Sequence, residues 1–209
     1  MGSSFESSTA ARRLLWLIIG LIVLFVILRV ASRFVPRPVT AGIALVLFAV
    51  VARNPTWRTR LGITTRDMGR GVLLGVLAAA SLTAVLLGLA ALYWGADMAR
   101  HLWGEILHQP LSARLDFLAI GITAAIAEEL LFRGLLQPIA IDKLGMILGI
   151  LVVALAFTVS HPRVFSWPPF MFSNLFLTGL LYGVLRGRDR PLTAVLVAHT
   201  LAWVQWGGA

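Results

Sequence analysis

Cysteine is absent from all 209 residues, which excludes a disulfide framework, a thiol nucleophile and any cysteine-ligated metal. Lysine is nearly absent too: Lys143 is the only one, so the formal net charge of +9 comes almost wholly from arginine. Charge of either sign is scarce, at 13% of residues against 59% hydrophobic, a balance that excludes a soluble globule. On a soluble protein the basic excess would point to nucleic acid. Here the arginines flank apolar runs, a placement that fits membrane orientation and anionic headgroups, so the expected partner is a lipid bilayer and not nucleic acid. Internal repeats and low-complexity tracts are missing as well, and the length has room for one domain, residues 1–209.

What is abundant is apolar helix. The expected fold class is all-α, a polytopic transmembrane bundle of about seven (six to eight) spans with one or two interfacial helices. The spans read as about 14 to 35, 39 to 52, 71 to 94, 115 to 138, 146 to 161, 170 to 186 and 191 to 206. The first resembles a signal peptide, with Arg12 and Arg13 ahead of its apolar run, but Arg29, Arg33 and further hydrophobic segments follow, so it reads as an uncleaved span. The second covers only about 21 Å as a helix, short of a bilayer core of about 30 Å, and reads as tilted, re-entrant or longer. With the amino terminus in the cytoplasm, twelve of the eighteen basic residues fall on that side and six on the other, as the positive-inside rule favours. Two connecting stretches read as interfacial. One is Asn54 to Arg70, basic with Trp57, Leu61 and Ile63. In the other, Gly95 to Arg114, Met98, Leu102, Trp103, Ile106 and Leu107 recur at helical spacing opposite Asp97, Arg100, Glu105 and His108.

The fourth span contains adjoining carboxylates, Glu128 and Glu129, in an otherwise apolar helix. A charge near a helix centre costs about 3 kcal/mol on translocon scales, so such residues are functional candidates by default. Glu129 has a structural explanation in Arg133, four residues on and in the favourable order. That pairing does not extend to Glu128, which points about 100° away around the helix and suits a general base. Two of the four histidines, His161 and His199, also sit in or at the end of apolar spans. If the turn after the fourth span centres near Leu144, Glu128 lies sixteen residues before it and His161 seventeen after, so the two are nearly level in antiparallel helices. In the hairpin centred near Arg188, Asn174 lies fourteen residues before the turn and His199 eleven after, within about one helical turn of each other. One carboxylate, two imidazoles and an amide thus converge at one depth.

These residues resemble the motifs of the CPBP intramembrane proteases, a family that includes the type II CAAX prenyl endopeptidase and bacteriocin-processing or immunity-associated membrane proteins. The matching elements are Glu128-Glu129-x-x-x-Arg133-Gly134, then Phe157-x-x-x-His161, then His199 late in the last span. The similarity covers about residues 60 to 205, with residues 1–58 as variable amino-terminal spans, and includes Leu61-Gly62 and Gly179-x-x-x-Gly183. It implies an intramembrane endopeptidase in which Glu128 and His161 activate water against a peptide carbonyl of a membrane-associated protein or peptide. By the same resemblance His199 would help stabilise the oxyanion, with Glu129 and Arg133 in support. The family commonly has an asparagine four residues after the last histidine, where this chain has Trp203; Asn174 is a candidate substitute.

Other readings separate on specific features. A zinc protease would use Glu128, His161 and His199 as ligands with an open fourth position, but no His-Glu-x-x-His motif supports it, and the expectation is no cofactor. Serine catalysis at Ser160 lacks an elbow motif. A non-catalytic scaffold or immunity protein of the same fold is favoured by Trp203 and disfavoured by the intact Glu128, His161 and His199. A transporter would carry interrupted half-helices and an internal repeat.

Overall fold

The computed structural model describes residues 34–53, 61–62, 65–161, 168–187 and 191–206, with isolated positions between 20 and 58. The expected first span, most of the Asn54 to Ile63 segment and the turn at Arg188 lie outside the described residues. The described part is an all-α bundle. Helix α1 is Arg37–Arg53, α2 is Thr65–Trp94, α3 is Ala96–His108 and α4 is Leu111–Glu129. A π-helical segment, Leu130–Leu136, leads into α5, Gln137–Leu144; then follow α6, Met146–Val159, α7, Pro168–Arg186, and α8, Leu192–Trp206.

Helix α2 is rich in alanine, leucine and valine and contains no proline, so nothing interrupts its thirty residues. Its stretch Met68–Trp94, 27 residues, is long and apolar enough to cross a membrane and supports a membrane context. Helices α1, α6 and α8 include shorter apolar segments. The chain turns sharply at Gly95 and Gly145, with φ of 91° and 80°, in the left-handed region where a side chain would be strained. Helix α3 has no buried residue and is capped by Arg114, which donates to the carbonyls of Ile106, Leu107 and Gln109 at 3.0 to 3.1 Å.

The expected span 115 to 138 is one unbroken rod from Leu111 to Leu144, longer at both ends than its apolar run. Its hydrogen bonding widens after Glu129, with Gln137 N–H donating to the Phe132 carbonyl. Proline explains part of this. Pro138 lacks an N–H and its ring would crowd the carbonyl four residues back in a regular α-helix, so a wider turn ahead of it lets the rod continue.

The last helix fills the middle of the bundle. Val195 and Ala198 pack with Ala78, Leu82 and Leu86 of α2 and with Tyr182 and Leu185 of α7. Ala44, Leu61, Ile126, Leu130 and Leu192 join α1 to the long rod, and Leu131, Phe132, Val153 and Phe157 join the π segment to α6. Leu61, expected at the membrane surface, is fully buried in this packing. The outer faces are apolar, with Val72, Leu73, Val76, Ile147 and Leu148 exposed, whereas Glu128, Glu129, Arg133, Gln137 and His199 are buried. Polar residues inside and aliphatic ones outside is the reverse of a water-facing surface.

Candidate active site

The two glutamates end α4 where the backbone passes from α to π. Glu129 is fully buried, and so is Arg133. Arg133 Nε lies 3.3 Å from Glu129 Oε2, Nη1 donates to Oε1 at 3.4 Å, and Nη2 donates to the Gly179 carbonyl of α7 at 3.1 Å. The guanidinium carbon sits 4.4 Å from the Phe157 ring centre and 5.5 Å from that of Tyr182, so aromatic faces cover the charge that water would otherwise solvate. One further partner of Glu129 lies far away in sequence: His199 Nδ1 is 2.6 Å from Glu129 Oε1.

Glu128 is 1% exposed, and its Oε2 faces both imidazoles. His161 Nε2 lies at 3.4 Å and His199 Nε2 at 3.8 Å. His161 follows the end of α6, where its Nδ1 meets the Phe157 carbonyl at 2.7 Å and its ring packs on the Phe157 ring at 4.6 Å. Phe157 thus orients His161 with both backbone and ring, while a tilted contact with Tyr182 at 5.3 Å holds His199.

Partner chemistry fixes most of the protons. A carbonyl only accepts, so His161 Nδ1 carries the hydrogen that Phe157 receives. Glu129, beside Arg133, accepts from His199 Nδ1 in the same way. With neutral rings, both Nε2 atoms are acceptors and both face the Glu128 carboxylate. Three acceptors around one point need hydrogens between them, from a water or an added proton.

The sequence expectations divide accordingly. Glu128, Glu129, Arg133, His161 and His199 come together. Asn174 does not join them among the described contacts; its Oδ1 accepts from Thr178 on its own helix at 3.3 Å. Trp203 lies on α8, where its Cβ would stand 2.9 Å from a Cβ placed on Gly121. Gly179 and Gly183 pack against Ala154 and Ile150, the close helix packing their spacing suggests, and their carbonyls also receive Arg133 and Gln137. Gln137 escaped notice in the sequence. It is fully buried and donates to the Gly183 and Gly187 carbonyls at 2.9 and 3.2 Å, closing the carboxyl end of α7. Its signal was present: a lone amide one turn beyond Arg133 in an apolar stretch. The zinc alternative gains no support, since among the described residues no group of three or more His, Asp or Glu side chains is arranged to hold a metal ion.

Glu128, His161 and His199 all lie between the start of α4 and the end of α8. Residues 110–204 match the family model described as Type II CAAX prenyl endopeptidase Rce1-like. The Rce1-like region therefore begins at the turn before α4, runs nearly to the end of α8 and contains the whole glutamate and histidine cluster. No curated protein and no solved structure matches the chain. Buried contacts between glutamates and histidines inside an Rce1-like region are consistent with an acid- and histidine-activated hydrolysis and support a hydrolase role.

Proposed function

We propose that the protein is a multi-pass intramembrane endopeptidase that hydrolyses a peptide bond of a membrane-associated protein or peptide with water activated by Glu128 and His161. The observation that carries this reading is the convergence of His161 Nε2 and His199 Nε2 on one buried Glu128 oxygen. A water there can donate one hydrogen to the carboxylate and the other to an imidazole, leaving a lone pair for the substrate carbonyl. His161 keeps 18% of its side chain exposed while Glu128 is nearly sealed, so water and peptide reach the carboxylate past His161. Glu129 and Arg133 act as positioning residues, holding His199 through its Nδ1. Wide separation of solvent-exposed aliphatic faces from this polar interior fits chemistry carried out within a bilayer.

The match to Rce1-like endopeptidases supports peptide hydrolysis and leaves the substrate at the level of a membrane-associated peptide. The test is complementation. In a deletion strain supplied with wild type or Glu128→Ala, processing of candidate membrane peptides should return only with the wild type. Equal processing with the variant would sink the assignment, and retained partner binding without any wild-type processing would favour the scaffold that Trp203 suggests.

A further inference from the structure

Among the described residues, the donors of the side chains that converge on the glutamate pair are engaged with one another or with backbone carbonyls. His161 Nδ1 donates to the Phe157 carbonyl, His199 Nδ1 to Glu129, and Arg133 to Glu129 and the Gly179 carbonyl. Attack of water on a peptide carbonyl places a negative charge on the carbonyl oxygen, and catalysis requires donors aimed at it in advance. One hydroxyl nearby is not engaged. Tyr182 has no solvent exposure, and its Oη has no hydrogen-bond partner among the described residues.

Its placement is not that of a distant core residue. The ring lies 5.3 Å from the His199 ring and 5.5 Å from the Arg133 guanidinium carbon. Packing against Ala78, Leu82, Val195 and Ala198 holds the ring in place. Phenylalanine would serve that packing equally well and avoid burying a hydroxyl that donates to nothing, which destabilises a folded chain. A buried polar group tolerated at such a cost beside reactive groups is one the resting state leaves ready.

We propose that the Tyr182 hydroxyl donates a hydrogen bond to the oxyanion of the tetrahedral intermediate, next to His199. This rests on the hydrolytic reading above. The water oxygen bonds to the carbonyl carbon, one water proton passes to Glu128, and the π pair moves onto the carbonyl oxygen. Tyr182 stabilises that oxygen while keeping its own proton. Collapse restores the carbonyl, breaks the carbon–nitrogen bond, and the amine leaves with the proton from Glu128.

The experiment is Tyr182→Phe in the full chain, reconstituted in vesicles and assayed on a membrane peptide that the wild type cleaves, with Glu128→Gln alongside. Loss of one oxyanion donor is expected to lower kcat about 100-fold. KM should stay the same, because the bond forms only in the transition state. The thermal midpoint should hold or rise, since the unengaged hydroxyl is gone. A structural role moves the readouts differently, so a fall in thermal midpoint together with kcat overturns the inference. Wild-type kcat in Tyr182→Phe, with Glu128→Gln inactive, overturns it alone. Full activity in Glu128→Gln overturns the hydrolytic reading and this inference with it.

Discussion

Arg133 carries a full charge where no atom of it reaches solvent, and among the described residues Glu129, one backbone carbonyl and three aromatic rings compensate for the lost water. Arg133→Met would leave Glu129 as a buried charge facing His199 alone. Removing one partner of a buried pair costs about 3 to 5 kcal/mol, so the variant should unfold at markedly lower temperature in detergent. Arg133→Lys should recover only part of the loss, because an ammonium cannot meet both the carboxylate and the Gly179 carbonyl with a planar fork. A wild-type midpoint for Arg133→Met would contradict this. The pair was legible in the sequence because four residues along a helix bring two side chains onto one face. The bond from His199 to Glu129 was not legible. It joins residues 70 apart, and counting residues from a turn gives height in the bundle but not direction around the helix.

The elements are held at distances that glycines set. A Cβ on Gly121 would fall 2.8 Å from the Thr200 carbonyl oxygen and 2.9 Å from Trp203 Cβ, so even alanine forces α4 and α8 apart. Gly121→Ala is expected to cost about 1 to 3 kcal/mol by overpacking, and to displace His199 from the two glutamates. Gly104→Ala on α3 is the control: a Cβ there meets nothing within 4 Å, and better helix propensity should stabilise by up to about 1 kcal/mol. Thermal midpoints moving in opposite directions would support this account, and equal shifts would count against it. Helix positions were readable from the apolar runs. The π segment was not, because its wider turn depends on Pro138 downstream and on contacts that Phe132 and Arg133 make with other helices. It begins directly after the glutamate pair.

At the scale of the whole molecule, the unbroken rod from Leu111 to Leu144 has to carry the chain from one end of the bundle to the other. Membrane topology follows if the rod crosses the bilayer, with Arg100 on the outer side and Lys143 in the cytoplasm. The absence of native cysteine makes this simple to check. Single cysteines at Arg100 and Lys143, both exposed, should be labelled by an impermeant maleimide from opposite sides. Labelling from the same side would contradict the crossing. The inward-facing polar set was legible as a rarity of composition, and the level placement of Glu128 and His161 followed from residue counts about a turn near Leu144. The partial exposure of His161 was not legible, because exposure depends on how the helix ends pack.

Glu128 is the proposed base. The most direct measurement is the single-turnover cleavage rate of a membrane peptide by purified, reconstituted wild type and Glu128→Gln, the amide keeping size and packing while removing the base. A loss of about 100- to 10,000-fold, with an unchanged thermal midpoint, is the expected result. Equal rates in a folded Glu128→Gln variant would contradict the account.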